Sequence, residues 1–181
     1  MSPIMNEEST RLEQAQEAWL ALQDRVYQKR LIGLAVAARI LRMQHADIEA
    51  LLGACHSDDP PDPTGVQVLT ARLAEGEPPD SWTKRQQEDL RRIRHVQGLP
   101  EFAEQEQEQL ALCAEHQIFL LPVTSGWYPP YLRAFPQAPP AILYVSGTGY
   151  REAICRRYQL TIVGSRKATA YGRRFLHEHL P

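Results

Sequence analysis

Sulfur is scarce in this sequence: three cysteines, Cys55, Cys113 and Cys155, in 181 residues. An odd number at wide spacing argues against a disulfide framework and against a zinc cluster. Long apolar runs are absent, and nothing approaches the ~18 residues a membrane span needs. The first residues, MSPIMNEESTRLEQ, are acidic and polar, unlike a secretory leader. These absences lead us to expect a cytoplasmic protein with reduced thiols and no membrane partner. Catalytic signals are also missing, since no compact nucleophile–base pair and no metal-ligand spacing stands out. His177 and His179 sit two apart on an expected helix and share no face, so they are not read as a metal pair. The expectation is a non-enzyme with no cofactor.

What is there is a globular composition, 43% hydrophobic against 23% charged. The length suits one full domain, or one small domain plus part of another. A net charge of −2 hides an asymmetry. Residues 151–181 carry seven Lys/Arg and two acids, or +5, which leaves 13 bases and 20 acids, or −7, for the first 150. A basic terminal segment beside an acidic body points to a local polyanion contact, or else to a solvated helix face.

The first 117 residues read as helical. Leu12, Ala15, Trp19, Leu22 and Val26 make an apolar stripe that predicts one helix over Glu7–Lys29. Leu31–Met43 reads as a second, buried helix, and Asp47–Cys55 as a third. The Gln44-His45-Ala46 joint suggests a helix-turn-helix. Asp47 and Glu49 make a poor phosphate surface, however, so the pair is read as core packing. HSDDPPDPTG, residues 56–65, reads as a linker. A short helix is predicted over Val66–Leu73 and a break over Gly76–Asp80. A helix then runs from Thr83 to near Gly98 with a solvated basic face. A Gln/Glu-rich helix follows, opened by Pro100 and anchored by Phe102, Leu110, Leu112 and Cys113.

The pattern changes at Ile118. Ile118–Leu121, Ala141–Val145 and Leu160–Val163 read as strands. Short helices are expected where the turn Ser125–Leu132 leads on, at Arg151–Arg157 and after Thr169. This alternation predicts an α/β (mixed) chain: a helical domain over 1–117, then the start of a Rossmann-like parallel sheet over 118–181. The stretch LTIVGSRKATAYG, residues 160–172, carries the clearest chemistry. A buried strand ends at Gly164, and Ser165, Arg166, Lys167 and Ala168 form a basic loop. Thr169 then caps a helix opened by Ala170, Tyr171 and Gly172. A loop at a strand's carboxyl end, facing a helix amino terminus, is a place to hold a phosphate. GxGxxG is absent there, which argues against a dinucleotide site.

Three runs carry a family resemblance: Trp127-Tyr128-Pro129-Pro130-Tyr131-Leu132, then Pro139-Pro140-Ala141-Ile142-Leu143-Tyr144-Val145-Ser146-Gly147, then Ile162–Gly172. In this order the segment resembles the DNA-processing protein A (DprA, or Smf) family. The resemblance implies single-stranded DNA binding, delivery of that DNA to the recombinase RecA during natural transformation, and homodimers. It implies that Arg166 contacts a phosphate, that Gly164 and Ser165 permit close backbone approach, and that Lys167 adds charge. Thr169, Tyr171 and Gly172 complete the candidate nucleic-acid site; Tyr171 either stacks on a base or packs the helix on the sheet. The family's later SG-x-A-x-GID and RNR-x-I segments do not follow, which implies a truncated product. Two alternatives stay open: a nucleotide-binding enzyme of related fold, and a non-binding remnant with a helical interaction module.

Overall fold

The computed structural model describes residues 23–55, 64–75, 77–134 and 139–146, together with Leu20 and Arg174. Helix α1, Arg25–Leu41, is the hub of the described fold. Leu31, Ile32, Leu34, Val36, Ala37 and Ala38 are all buried, on several faces of the helix. Around it stand α2 (His45–Cys55), α3 (Val66–Glu75), α4 (Lys84–Gln97) and α5 (Pro100–Glu115). The hairpin follows: β1 (Ile118–Pro122), the single turn α6 (Pro130–Arg133), and β2 (Ile142–Ser146). Leu51, Leu52, Leu69, Leu90 and Ile93 from the helices join Leu120, Leu121 and Tyr128 in one apolar cluster.

The expected helices over Glu7–Lys29 and Leu31–Met43 need correction. Within the described residues the break falls at Gln23-Asp24, and the chain is helical straight through Arg30. The cause is local. One carboxylate oxygen of Asp24 accepts from the backbone N–H groups of Val26 and Tyr27, both at 2.9 Å, and so starts the helix there. The helix stops at Arg42, which takes the left-handed conformation (φ 52°, ψ 42°) usually left to glycine. Helix α4 opens on a capping box between Thr83 and Gln86, and α5 opens on Pro100. Phe102 and Cys113 anchor α5 as expected, but Leu112 is exposed and is not an anchor.

The expected parallel sheet is also corrected where it is described: β1 and β2 are antiparallel, with Ile118 opposite Ser146 and Pro122 opposite Ile142. A parallel return needs a crossover running the length of the strand, usually a helix of several turns. Residues 123–141 hold only the one-turn α6 among their described part, and the Val123 N–H donates to the Ala141 carbonyl at 2.8 Å, closing the link into a hairpin. The expected strand at Leu160–Val163 and the helices at Arg151–Arg157 and after Thr169 lie outside the described residues, as does the first part of the 56–65 linker.

Polar contacts fasten this hairpin to the helices. The Gln28 side-chain amide donates to the Leu120 carbonyl at 3.0 Å and accepts from the Leu120 N–H at 2.7 Å. Thr64 accepts from the Tyr27 hydroxyl at 2.9 Å, and its carbonyl accepts from the Thr124 hydroxyl at 2.7 Å. His45 Nδ1 accepts from the Ala141 N–H at 3.4 Å.

Candidate nucleic-acid interface

Gly164, Ser165, Arg166, Lys167, Thr169, Tyr171 and Gly172 lie outside the described residues. What the structure does describe is the platform that precedes them. In the Trp127–Leu132 run, Tyr128 is buried and its hydroxyl donates to the Pro140 carbonyl at 2.8 Å. Arg133 lies over the Tyr128 ring, 5.7 Å from its centroid, and donates to the carbonyls of Val123 (3.0 Å) and Ser125 (2.6 Å). The Ser125 hydroxyl in turn accepts from the Trp127 N–H at 3.2 Å. These residues lock the turn between β1 and β2. Burial pushes the Tyr128 hydroxyl above the usual tyrosine range, although the nearby Arg133 charge opposes it. Tyr128 and the buried Pro129 therefore act as anchors of the hairpin.

The arginines of α4 are mostly engaged. Arg85 pairs with Asp47 of α2 at 2.6 Å, Arg91 with Glu77 at 3.1 Å, and Arg92 with the buried Asp89 at 3.0 Å. Arg94 donates to the carbonyls of Leu73 (2.9 Å) and Arg72 (2.7 Å), closing the carboxyl end of α3. Arg85, Arg91 and Arg92 remain largely exposed while paired with acids, so this is the solvated, charge-offset face read from the sequence.

Another concentration of cations meets β2. A groove of about 270 Å³ runs between α1, α2 and β2. Ala35, Ala38, Met43, Ile48 and Ile142 floor it, and Arg39, Arg42, His45 and Tyr144 rim it. No carboxylate lines it. Tyr144 is 49% exposed, large for an aromatic ring on a strand. Arg39 donates to the neutral amide oxygens of Gln105 (3.1 Å) and Gln109 (3.4 Å) and has no ion-pair partner among the described residues. The Tyr144 hydroxyl stays protonated at neutral pH: burial and the Cys113 thiol raise its pKa, and Arg39 opposes them. Sequence reasoning missed this cluster, because its members are about a hundred residues apart in the chain.

With the geometry in place, the comparisons bear on the second half of the chain. Residues 119–181 match the DNA recombination-mediator protein A family model. The DNA recombination-mediator segment thus takes in both hairpin strands from Phe119 on, the locked turn and the whole of the Ile162–Gly172 run, and it ties that part of the chain to DNA processing. No curated protein and no solved structure matches the chain. Among the described residues no group of three His, Cys, Asp or Glu is placed to hold a metal, and no helix is long and apolar enough to cross a membrane.

Proposed function

We propose that this chain is a single-stranded DNA-binding protein of the recombination-mediator type, with Arg166 as its leading phosphate ligand. The observation that carries this reading is the match to the DNA recombination-mediator family over residues 119–181. That match contains Gly164-Ser165-Arg166-Lys167 directly after an apolar β-branched run. The chemistry agrees with it. A small-residue turn brings backbone N–H groups close to a phosphate, and two adjacent cations release its counterions. Delivery of the bound strand to the recombinase RecA, dimer formation and a cytoplasmic setting belong to the same reading. So does a helical unit over 1–117 that carries the DNA-binding unit.

The test is a fluorescence-anisotropy titration of labelled oligo-dT across a salt series. Binding is expected to weaken as salt rises, and Arg166→Ala is expected to weaken it further and flatten the slope of log K against log salt by about 0.7. An Arg166→Ala protein with wild-type affinity and slope would overturn the assignment of that loop.

A further inference from the structure

We propose that the groove between α1 and β2 is a second contact for the strand, holding one nucleotide unit of single-stranded DNA. The base would lie against Tyr144 over the apolar floor, and its phosphate would be held by Arg42 and Arg39. The choice of DNA rests on the function proposed above. The choice of a nucleotide rests on the groove itself.

Four observations define the occupant. The first is size: about 270 Å³ is roughly nine times the ~30 Å³ share of a water molecule, room for one base-sized ring. The second is the wall. Tyr144 presents a half-exposed aromatic face beside Ile142, on the side of the strand it shares with Leu120, its cross-strand partner. A flat apolar ring stacks on such a face whatever its sequence identity. The third is charge. Arg39 and Arg42 flank the groove, neither has an ion-pair partner among the described residues, and no acid lines the site, so the complement is an anion. A carboxylate-rich peptide would satisfy the cations but leave the aromatic wall and the Met43-Ile48-Ile142 floor without an apolar partner. A base joined to a phosphate satisfies both. The fourth is backbone. Arg42 occupies a left-handed position (φ 52°) that costs a residue with a Cβ something glycine avoids, and it places a long cation at the groove's rim.

The experiment uses the full chain and a fluorescein-labelled dT 20-mer, with Tyr144→Leu, Tyr144→Phe, Arg42→Ala and Arg166→Ala, each checked for an unchanged melting temperature. Tyr144→Leu is expected to weaken binding about tenfold with little change in salt slope, as loss of a stacking contact does. Tyr144→Phe keeps the ring and should stay within about twofold of wild type. Arg42→Ala should weaken binding and flatten the slope by about 0.7. Photo-cross-linking with 5-iododeoxyuridine in the oligonucleotide should label the peptide that contains Tyr144.

Folded Tyr144→Leu protein with wild-type affinity would overturn the proposal, as would Tyr144→Phe losing as much as Tyr144→Leu. If Arg166→Ala weakens binding and the groove variants do not, the loop reading stands and the groove falls. If the groove variants weaken it and Arg166→Ala does not, the groove stands and the loop falls. A folded wild type that binds no oligonucleotide overturns both.

Discussion

The helical layer and the hairpin share one apolar core but differ in the weight of side-chain-to-backbone bonds. In the helices, Leu31, Leu51, Leu52, Leu69, Leu90 and Ile93 are all at or near zero exposure, and shape-filling apolar contacts set the arrangement. The hairpin also buries Leu120, Leu121, Val123, Tyr128, Ala141 and Val145, and it adds bonds from side chains to backbone: Gln28 on Leu120 and His45 on Ala141 from the helices, and Tyr128 on Pro140 and Arg133 on Val123 and Ser125 within the hairpin itself. Burial is nondirectional and tolerates small substitutions. Bonds to backbone atoms are directional, and each one broken leaves a peptide group unpaired. The hairpin should therefore be the part that single substitutions release first.

The largest expected effect tests that directly. Tyr128→Ala removes a nearly fully buried ring and the donor to Pro140, and should cost about 3–5 kcal/mol in urea unfolding. Tyr128→Phe, which loses only the hydroxyl, should cost about 1 kcal/mol. The same site has a pH signature. Because the folded state holds the Tyr128 and Tyr144 hydroxyls above the ordinary tyrosine pKa, their stabilisation is complete below that ordinary value and is lost as the pH climbs from about 10 toward the folded pKa. Melting temperatures measured from pH 8 to 11 should fall only above about 10, and the drop should shrink in Tyr128→Phe.

Gln28→Ala comes next. It orphans both backbone groups of Leu120 and should cost about 2–3 kcal/mol. Hydrogen exchange separates the hairpin from the helices: the Leu120 amide should lose protection while amides in the middle of α1 keep theirs. A uniform loss of protection would show that helices and hairpin open as one unit.

Arg42→Gly should go the other way. Relief of the left-handed conformation is expected to stabilise the helical layer by about 0.5–1 kcal/mol in urea titrations, while DNA affinity falls as in Arg42→Ala. Stability and binding moving in opposite directions at one residue would mark a strain kept for function. Gly33→Ala should matter least. A Cβ there would lie 2.8 Å from the Glu106 carboxylate oxygen, which sits at the end of a flexible side chain, and 3.7 Å from the Phe102 ring. The gain in helix propensity offsets the adjustment, so the melting temperature should shift by no more than a few degrees.

Most helices were legible because one rule governed each. The apolar positions of 48–55 and 84–97 recur at helical spacing, and Thr83 with Gln86, like Pro100, marks a start that can be read locally. The boundary at Asp24 was missed because the Trp19-Leu22-Val26 stripe runs across it, and periodicity outweighed a single capping side chain. Strand direction was missed because alternating strands and helices look the same for a hairpin and a crossover until the length of the intervening helix is weighed. The loop proposed to hold phosphate rests on the strand–glycine–arginine–helix order of the sequence and lies outside the described residues. The groove was not, since Arg39 and Tyr144 are neighbours only once β2 lies across α1.

Gln28 has one more consequence. On the outer side of β1, alternate residues present their peptide groups, and Leu120 is the middle one. Its groups are taken by Gln28, and Pro122, the next on that side, has no N–H to offer. A foreign strand arriving there finds almost nothing to zip onto, so this edge is shut against both aggregation and extension. The two-stranded ribbon is thereby given a direction of growth: any strand that widens it must come in beside β2, the strand that carries Tyr144.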